Sequence, residues 1–281
     1  MLGAHRDGFS TGQTARGFAV TSILSSITTR QIASLTTASV ALLKTDDIAA
    51  LSTAQAAVLS STQVAALSTD DIAAFGSKVS SLTVGAIVGL TTAQAHSLTT
   101  SEVAGLTTSQ IAALKSYQIH ILSTDQAMAL TTGEIHALTS AQIGALTTDD
   151  IASFSTDQVA ALNTLAVATM TTAQIHALTT DQAAALSTAQ IAALKTSHIA
   201  VLTTGQAAAL TTAQVQTLST GQALALSPAA VAVLSTDRVA VLTTGAVAAL
   251  KTSQIAVLST DQAKALTTAQ IAPYHRLKRR R

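Results

Sequence analysis

Large apolar residues return every eight positions along almost the whole chain. They stand at Ile27, Leu35, Leu43, Leu51, Leu59, Leu67 and Phe75, and after one seven-residue unit the series resumes at Leu82 and runs to Leu266. Phe154 and Met170 replace Leu without breaking step. These positions head 31 units with the consensus Leu-(Thr/Ser)-Thr-x-Gln-(Ile/Val/Ala)-x-Ala. Two degraded units begin at Phe9 and Phe18, and Phe9-Ser10-Thr11-Gly12-Gln13 keeps the start of the motif. The chain thus divides into a degenerate capping segment (1–26), an octapeptide-repeat region (27–274) and a short tail (275–281), with repetition as the dominant architectural signal.

The octad contains the parts of a helix start. With unit position 2 as N-cap, Thr or Ser is the cap and position 5 is the third helical residue. Twenty of the 31 units carry Gln or Glu at position 5, among them Gln94, Glu102, Gln110 and Glu134. That pairing is a capping box, in which each side chain accepts from the other residue's backbone N–H. Leu at position 1 and Ile or Val at position 6 form the matching hydrophobic staple. Pro228 falls on the first helical position, where its missing N–H costs nothing. The acidic pairs Asp46-Asp47, Asp70-Asp71 and Asp149-Asp150 fall in the first turn, where the helix dipole favours negative charge. Lys44, Lys115, Lys195 and Lys251 occupy the cap position, and in those units the cap is expected to move to the following Thr or Ser.

The pattern predicts a helix of about six residues in each octad, too short to stand alone, since isolated helices below ~12 residues are marginal in water. Units that stack can share their apolar faces, which is the logic of a solenoid. The expected fold is all-α, one capped helix per octad, with Leu and Ile/Val inside and Thr, Gln and Ala outside. Small residues at position 8 allow close backbone approach, and positions 4 and 7 face water. A β-solenoid is the alternative, because Thr, Val and Ile also suit strands. Against it stand the abundant Gln, Ala and Asp, which are poor strand residues, and only 13 glycines. One continuous helix is excluded: eight residues make about 2.2 turns, so the apolar stripe would drift around the axis.

Composition narrows the function. Charged residues are 10% and aromatics 2% against 48% hydrophobic, which argues against intrinsic disorder and against a conventional bulky core. No Cys is present, which removes disulfides, thiolate metal sites and a Cys nucleophile. Met1 to Val20 does not read as a cleavable secretory signal. Thr and Gln interrupt every apolar run, so no membrane span is expected. The formal net charge of +1 hides a division between a repeat region of net −5 and a tail of +5.

Candidate chemistry is sparse. His96, His120, His136 and His176 share position 7 at separations that are multiples of eight, and on one face they would form a ladder able to bind metal or haem. The plainer reading is exposed His at a tolerant position, because no carboxylates are arranged with them. His198 stands at another position. The Asp pairs lack the Gly-turned loop and oxygen count of a calcium site. No Gly-x-Ser-x-Gly, phosphate loop, dinucleotide fingerprint or His-Glu-x-x-His is present. The breaks at Phe75–Ser81 and Leu162–Leu165 carry no catalytic constellation. The chain is therefore expected to be no enzyme and to need no cofactor. Repeated Thr pairs suggest an ice-binding surface only if their side chains share a plane, and adjacent Thr in strands face opposite ways. Arg276, Lys278, Arg279, Arg280 and Arg281 could contact an anionic partner such as nucleic acid, although a solvated, disordered tail is the favoured reading.

Units such as Leu178-Thr-Thr-Asp-Gln-Ala-Ala-Ala and Leu186-Ser-Thr-Ala-Gln-Ile-Ala-Ala resemble repeat tracts of large bacterial exoproteins labelled as adhesins or haem-utilisation proteins. The resemblance covers about Ile27 to Ala272. It implies a non-catalytic scaffold, spacer or adhesive surface, secreted or at the cell surface, with a protein or cell-surface partner. The alternative is an effector-type binder of nucleic acid or a host factor that uses the basic tail.

Overall fold

The computed structural model describes residues 27–272. Both the N-terminal capping segment (1–26) and the basic tail (275–281) lie outside them. The described residues form an all-α solenoid with no strand, so the β-solenoid alternative is excluded. Among them short α-helices follow one another from α1 (Thr29–Ala33) through α29 (Thr260–Ala265), with a 3-10 helix at Gly76–Ser81 and a further helical stretch at 268–272.

Each helix starts where the capping motif places it. In α14 (Ser140–Ala145), Thr139 is the N-cap with extended backbone. Gln142 N–H donates to Thr139 Oγ1 at 3.3 Å, and Thr139 N–H donates to Gln142 Oε1 at 2.8 Å. Pro228 opens α25 (Pro228–Ala232) at its first position. The helix ends at the next Leu. Leu146 leaves the helical region (φ −61°, ψ 143°) while its N–H still donates to the Ile143 carbonyl at 3.2 Å. One extended Leu and one extended Thr or Ser make the whole turn. No left-handed residue is required, and the only positive φ among the described residues is +52° at Gly76. This explains why a chain with so many turns manages with few glycines.

The four units with Lys at the cap depart from expectation. Their helices still begin at the same unit position, at Thr45, Ser116, Thr196 and Thr252. The cap does not slide, because half of the box survives without the Lys side chain. Lys115 N–H and Lys251 N–H each donate to the Gln Oε1 three residues on, at 2.8 Å.

Each helix packs mainly on the third helix before and after it in chain order, as α10 (Thr108–Ala113) on α13 (Thr132–Ala137) and α13 on α16 (Thr156–Ala161). One coil therefore takes between three and four octads. The core is a continuous column of position 1 and position 6 side chains, such as Leu138, Ile143, Leu146 and Ile151, all nearly inaccessible. Phe154 and Met170 sit in the Leu column. Positions 4 and 7 face solvent, as expected. Gln does not. Gln118, Gln142 and Gln206 are at most 1% exposed, so Gln belongs to the interior. The reason is a second set of hydrogen bonds that only the coiling creates.

The seven-residue unit is absorbed by the 3-10 helix. Near it, Gly89 packs so closely on the preceding coil that a Cβ would lie 2.6 Å from the Ser61 carbonyl oxygen. Glycine is required there for lack of space, not for backbone angle.

Candidate functional site

The repeated site of this molecule is the joint between coils. A short helix leaves its last carbonyls without intrahelical donors. The position 5 Gln supplies them. Its Oε1 accepts from its own N-cap N–H, and its Nε2 reaches the end of the helix four octads earlier. Gln142 Nε2 donates to the carbonyls of Ile111 and Leu114, both at 2.7 Å. Gln174 repeats this with Ile143 and Leu146, at 2.8 Å each. The same separations of 31 and 28 residues recur at Gln182, Gln222 and Gln254. One primary amide thus closes a helix start and a helix end in successive coils. Buried polar groups are tolerated when fully paired, and these are.

Where Gln is absent, other donors reach equivalent carbonyls. Lys78 Nζ donates to the Ala49 and Leu51 carbonyls. Arg238 donates through a guanidinium N–H to Ala208 O at 2.6 Å. In the unit with Ala166 at position 5, the cap residue Asn163 takes over, donating through Nδ2 to His136 O and Leu138 O. His198, 2% exposed, accepts from Lys195 N–H through Nδ1 and hydrogen-bonds the Met170 carbonyl, 28 residues back. Burial, then the nearby Lys195 charge, hold its imidazole below the ordinary value, and the Met170 bond only partly opposes them. It serves as a neutral mimic of Gln.

Acidic residues at position 5 need the opposite partner. Glu102 finds one at the seven-residue unit. Gly76, turned by its positive φ, donates its N–H to Glu102 Oε1 at 3.0 Å, while Thr99 N–H donates to Oε2 at 2.8 Å. Asp71 accepts from Thr45 Oγ1 and from Ser68 N–H. Glu134 Oε2 accepts from Thr131 N–H at 2.6 Å, but its Oε1 has no partner. Sequence reasoning found the capping half of the boxes built on Gln and Glu, but not of those built on Asp71, Asp150 and His198. The coil-to-coil half had one signal it missed: a polar residue placed directly before the buried position 6 residue in most octads.

The position 7 histidines are exposed. His96, His120 and His136 each donate from Nδ1 to a carbonyl 25 residues ahead, at Ile121, Ala145 and Ala161 respectively. The first of these bonds brings His96 to the residue next to His120. His136 is bound to a different helix, and His176 is exposed in α18 (Thr172–Ala177). Among the described residues no three metal-ligating side chains come together. Arg276, Lys278, Arg279, Arg280 and Arg281 lie outside the described residues. A shallow groove between the starts of α13 and α16 is lined by Leu130, Thr131, Thr132, Ser155 and Asp157. No described helix is long and apolar enough to cross a membrane.

No curated protein matches the chain. A family model described as the ALTTAQ repeat matches residues 40–77, 103–132, 128–156, 151–188, 167–196, 184–220 and 246–273, together more than half of the sequence. Four of the six letters of that description have tasks in this structure: Leu ends one helix, Thr caps and opens the next, and Gln ties it to the coil before. This chain belongs to the ALTTAQ repeat family, as a scaffold of tandem short helices.

Proposed function

We propose that the protein is a non-catalytic spacer and adhesive surface of a bacterial secreted or surface protein, acting on a protein or cell-surface partner. The observation that carries this reading is the Gln ladder. The buried Gln side chains are engaged in capping helices and holding coils together, which leaves an exposed surface of Thr, Ala and Asp repeated at regular intervals. Such a surface suits many weak, equivalent contacts, whose combined strength grows with the number engaged. Its family likeness to repeat tracts agrees with a geometric role. The effector-type reading rests on the basic tail alone.

The test compares the full chain with a variant ending at Tyr274. Attachment of both proteins to cell surfaces, equal in strength, supports the adhesive reading. Binding of DNA or RNA that weakens with salt and vanishes in the shortened variant replaces it with the second one.

A further inference from the structure

We propose that Glu134 carries a proton in the folded solenoid and donates it from Oε1 to the carbonyls that end the helix four octads earlier, making this one joint a latch that loosens as pH rises. The register places it. Gln126 Nε2, one helix away in α12 (Thr124–Ala129), donates to Ala95 O and Leu98 O. Gln142, in α14 on the other side, donates to Ile111 O and Leu114 O. Both reach 31 and 28 residues back, and the same count from Glu134 arrives at Val103 and Leu106, the end of α9 (Thr100–Ala104).

Two carbonyls and a carboxylate are all acceptors, so an ionised Glu134 would meet them without a hydrogen between. Its Oε1 is the only buried side-chain nitrogen or oxygen without a hydrogen-bond partner among the described residues. A protonated carboxyl restores the donor that Gln supplies elsewhere. Glu102 shows the contrast within the same chain, since there the facing group is the Gly76 N–H and each carboxylate oxygen has a donor.

Nothing nearby compensates a negative charge. The helices packed on α13 are α10, which has no titratable side chain, and α16, which brings Asp157. The end of α9 brings Glu102, and α12 brings Asp125. On α13 itself His136 is exposed and its Nδ1 is engaged by Ala161 O. No Lys or Arg stands on any of these helices or on α14 and α17 (Thr164–Thr169). Burial raises the Glu134 carboxyl above its ordinary 4.5, and the Thr131 hydrogen bonds only partly offset this. The folded chain then holds a proton that the unfolded chain releases. Its contribution is complete below the ordinary glutamate value and is lost as pH rises through the folded one.

The experiment measures unfolding midpoints of the wild type and Glu134→Gln from about pH 5 to about pH 9, both in a background of His136→Gln and His198→Gln, which removes the imidazole on the same helix and the buried one, while the remaining titrations are common to both proteins and cancel in their difference. The wild-type folding equilibrium should fall with pH, by at most about tenfold per pH unit, the limit for one linked proton. Glu134→Gln should remove that slope, and amide exchange at α13 should slow relative to the wild type at the alkaline end. In parallel, the carboxyl carbon of Glu134 in the wild type should titrate, by NMR, above the ordinary glutamate value of 4.5. Equal slopes in both proteins, or an Oε1 carboxylate that titrates like a surface glutamate, overturn the proposal.

Discussion

Gln142 Nε2 lies 2.7 Å from the carbonyl oxygens of both Ile111 and Leu114, while Oε1 of the same amide accepts the Thr139 N–H at 2.8 Å. A single side chain therefore joins residues that the chain separates by about four octads. Shape and stability of the solenoid both depend on this reach.

Truncating it tests the joint. Gln142→Ala strands the Thr139 N–H and the Leu114 carbonyl, while the Ile111 carbonyl keeps the Leu114 N–H at 3.2 Å. Each unpaired buried group costs about 1–3 kcal/mol, so two of them give an expected loss of roughly 2–6 kcal/mol. Gln142→Glu should cost a similar amount at neutral pH and recover on acidification, since a protonated carboxyl can again donate. Denaturant unfolding of the two variants at two pH values measures both outcomes.

The caps can be tested in both directions. Thr139→Ala removes a cap that accepts from Gln142 N–H and should cost about 0.5–2 kcal/mol. Lys115→Thr installs a cap where none exists, while the Gln118 half of the box is already formed. It should stabilise by about 1 kcal/mol. A Lys115→Thr variant no more stable than the wild type would show that the Lys units are stabilised in some other way.

His198 gives the acid limb. Its imidazole is held below the ordinary 6.5, so the folded state favours the neutral ring. The stability it supplies is present above the ordinary histidine value and is lost as pH falls through the folded one. Protonation would place a hydrogen on Nδ1, the atom that accepts from Lys195 N–H. His198→Gln should match the wild type near neutrality and surpass it in mild acid. Thermal melts of the pair across that range measure it.

Two glycines separate space from flexibility. Gly89→Ala drives a Cβ against the Ser61 backbone, where no side chain can yield, and should cost about 1–3 kcal/mol. Gly144 sits inside α14 with nothing within 4 Å of a would-be Cβ. Gly144→Ala should stabilise by about 0.5–1 kcal/mol through helix propensity. Paired unfolding curves should move in opposite directions.

Helix starts, helix length and the buried Leu and Ile stripe are decided within eight residues, because a cap, a box and a staple are local contacts. For that reason Thr139, Gln142 and Pro228 could be assigned before any coordinates, and so could the all-α class. Which carbonyl lies opposite Gln142 is another kind of question. It depends on how many octads close a coil, which packing between Leu and Ile columns sets, and no single octad contains that information. The burial of Gln and the roles of Asn163, Arg238 and His198 as replacement donors all follow from that closure. So do the opposite environments of Glu102 and Glu134, two glutamates at one repeat position, one facing an N–H and the other the end of a helix.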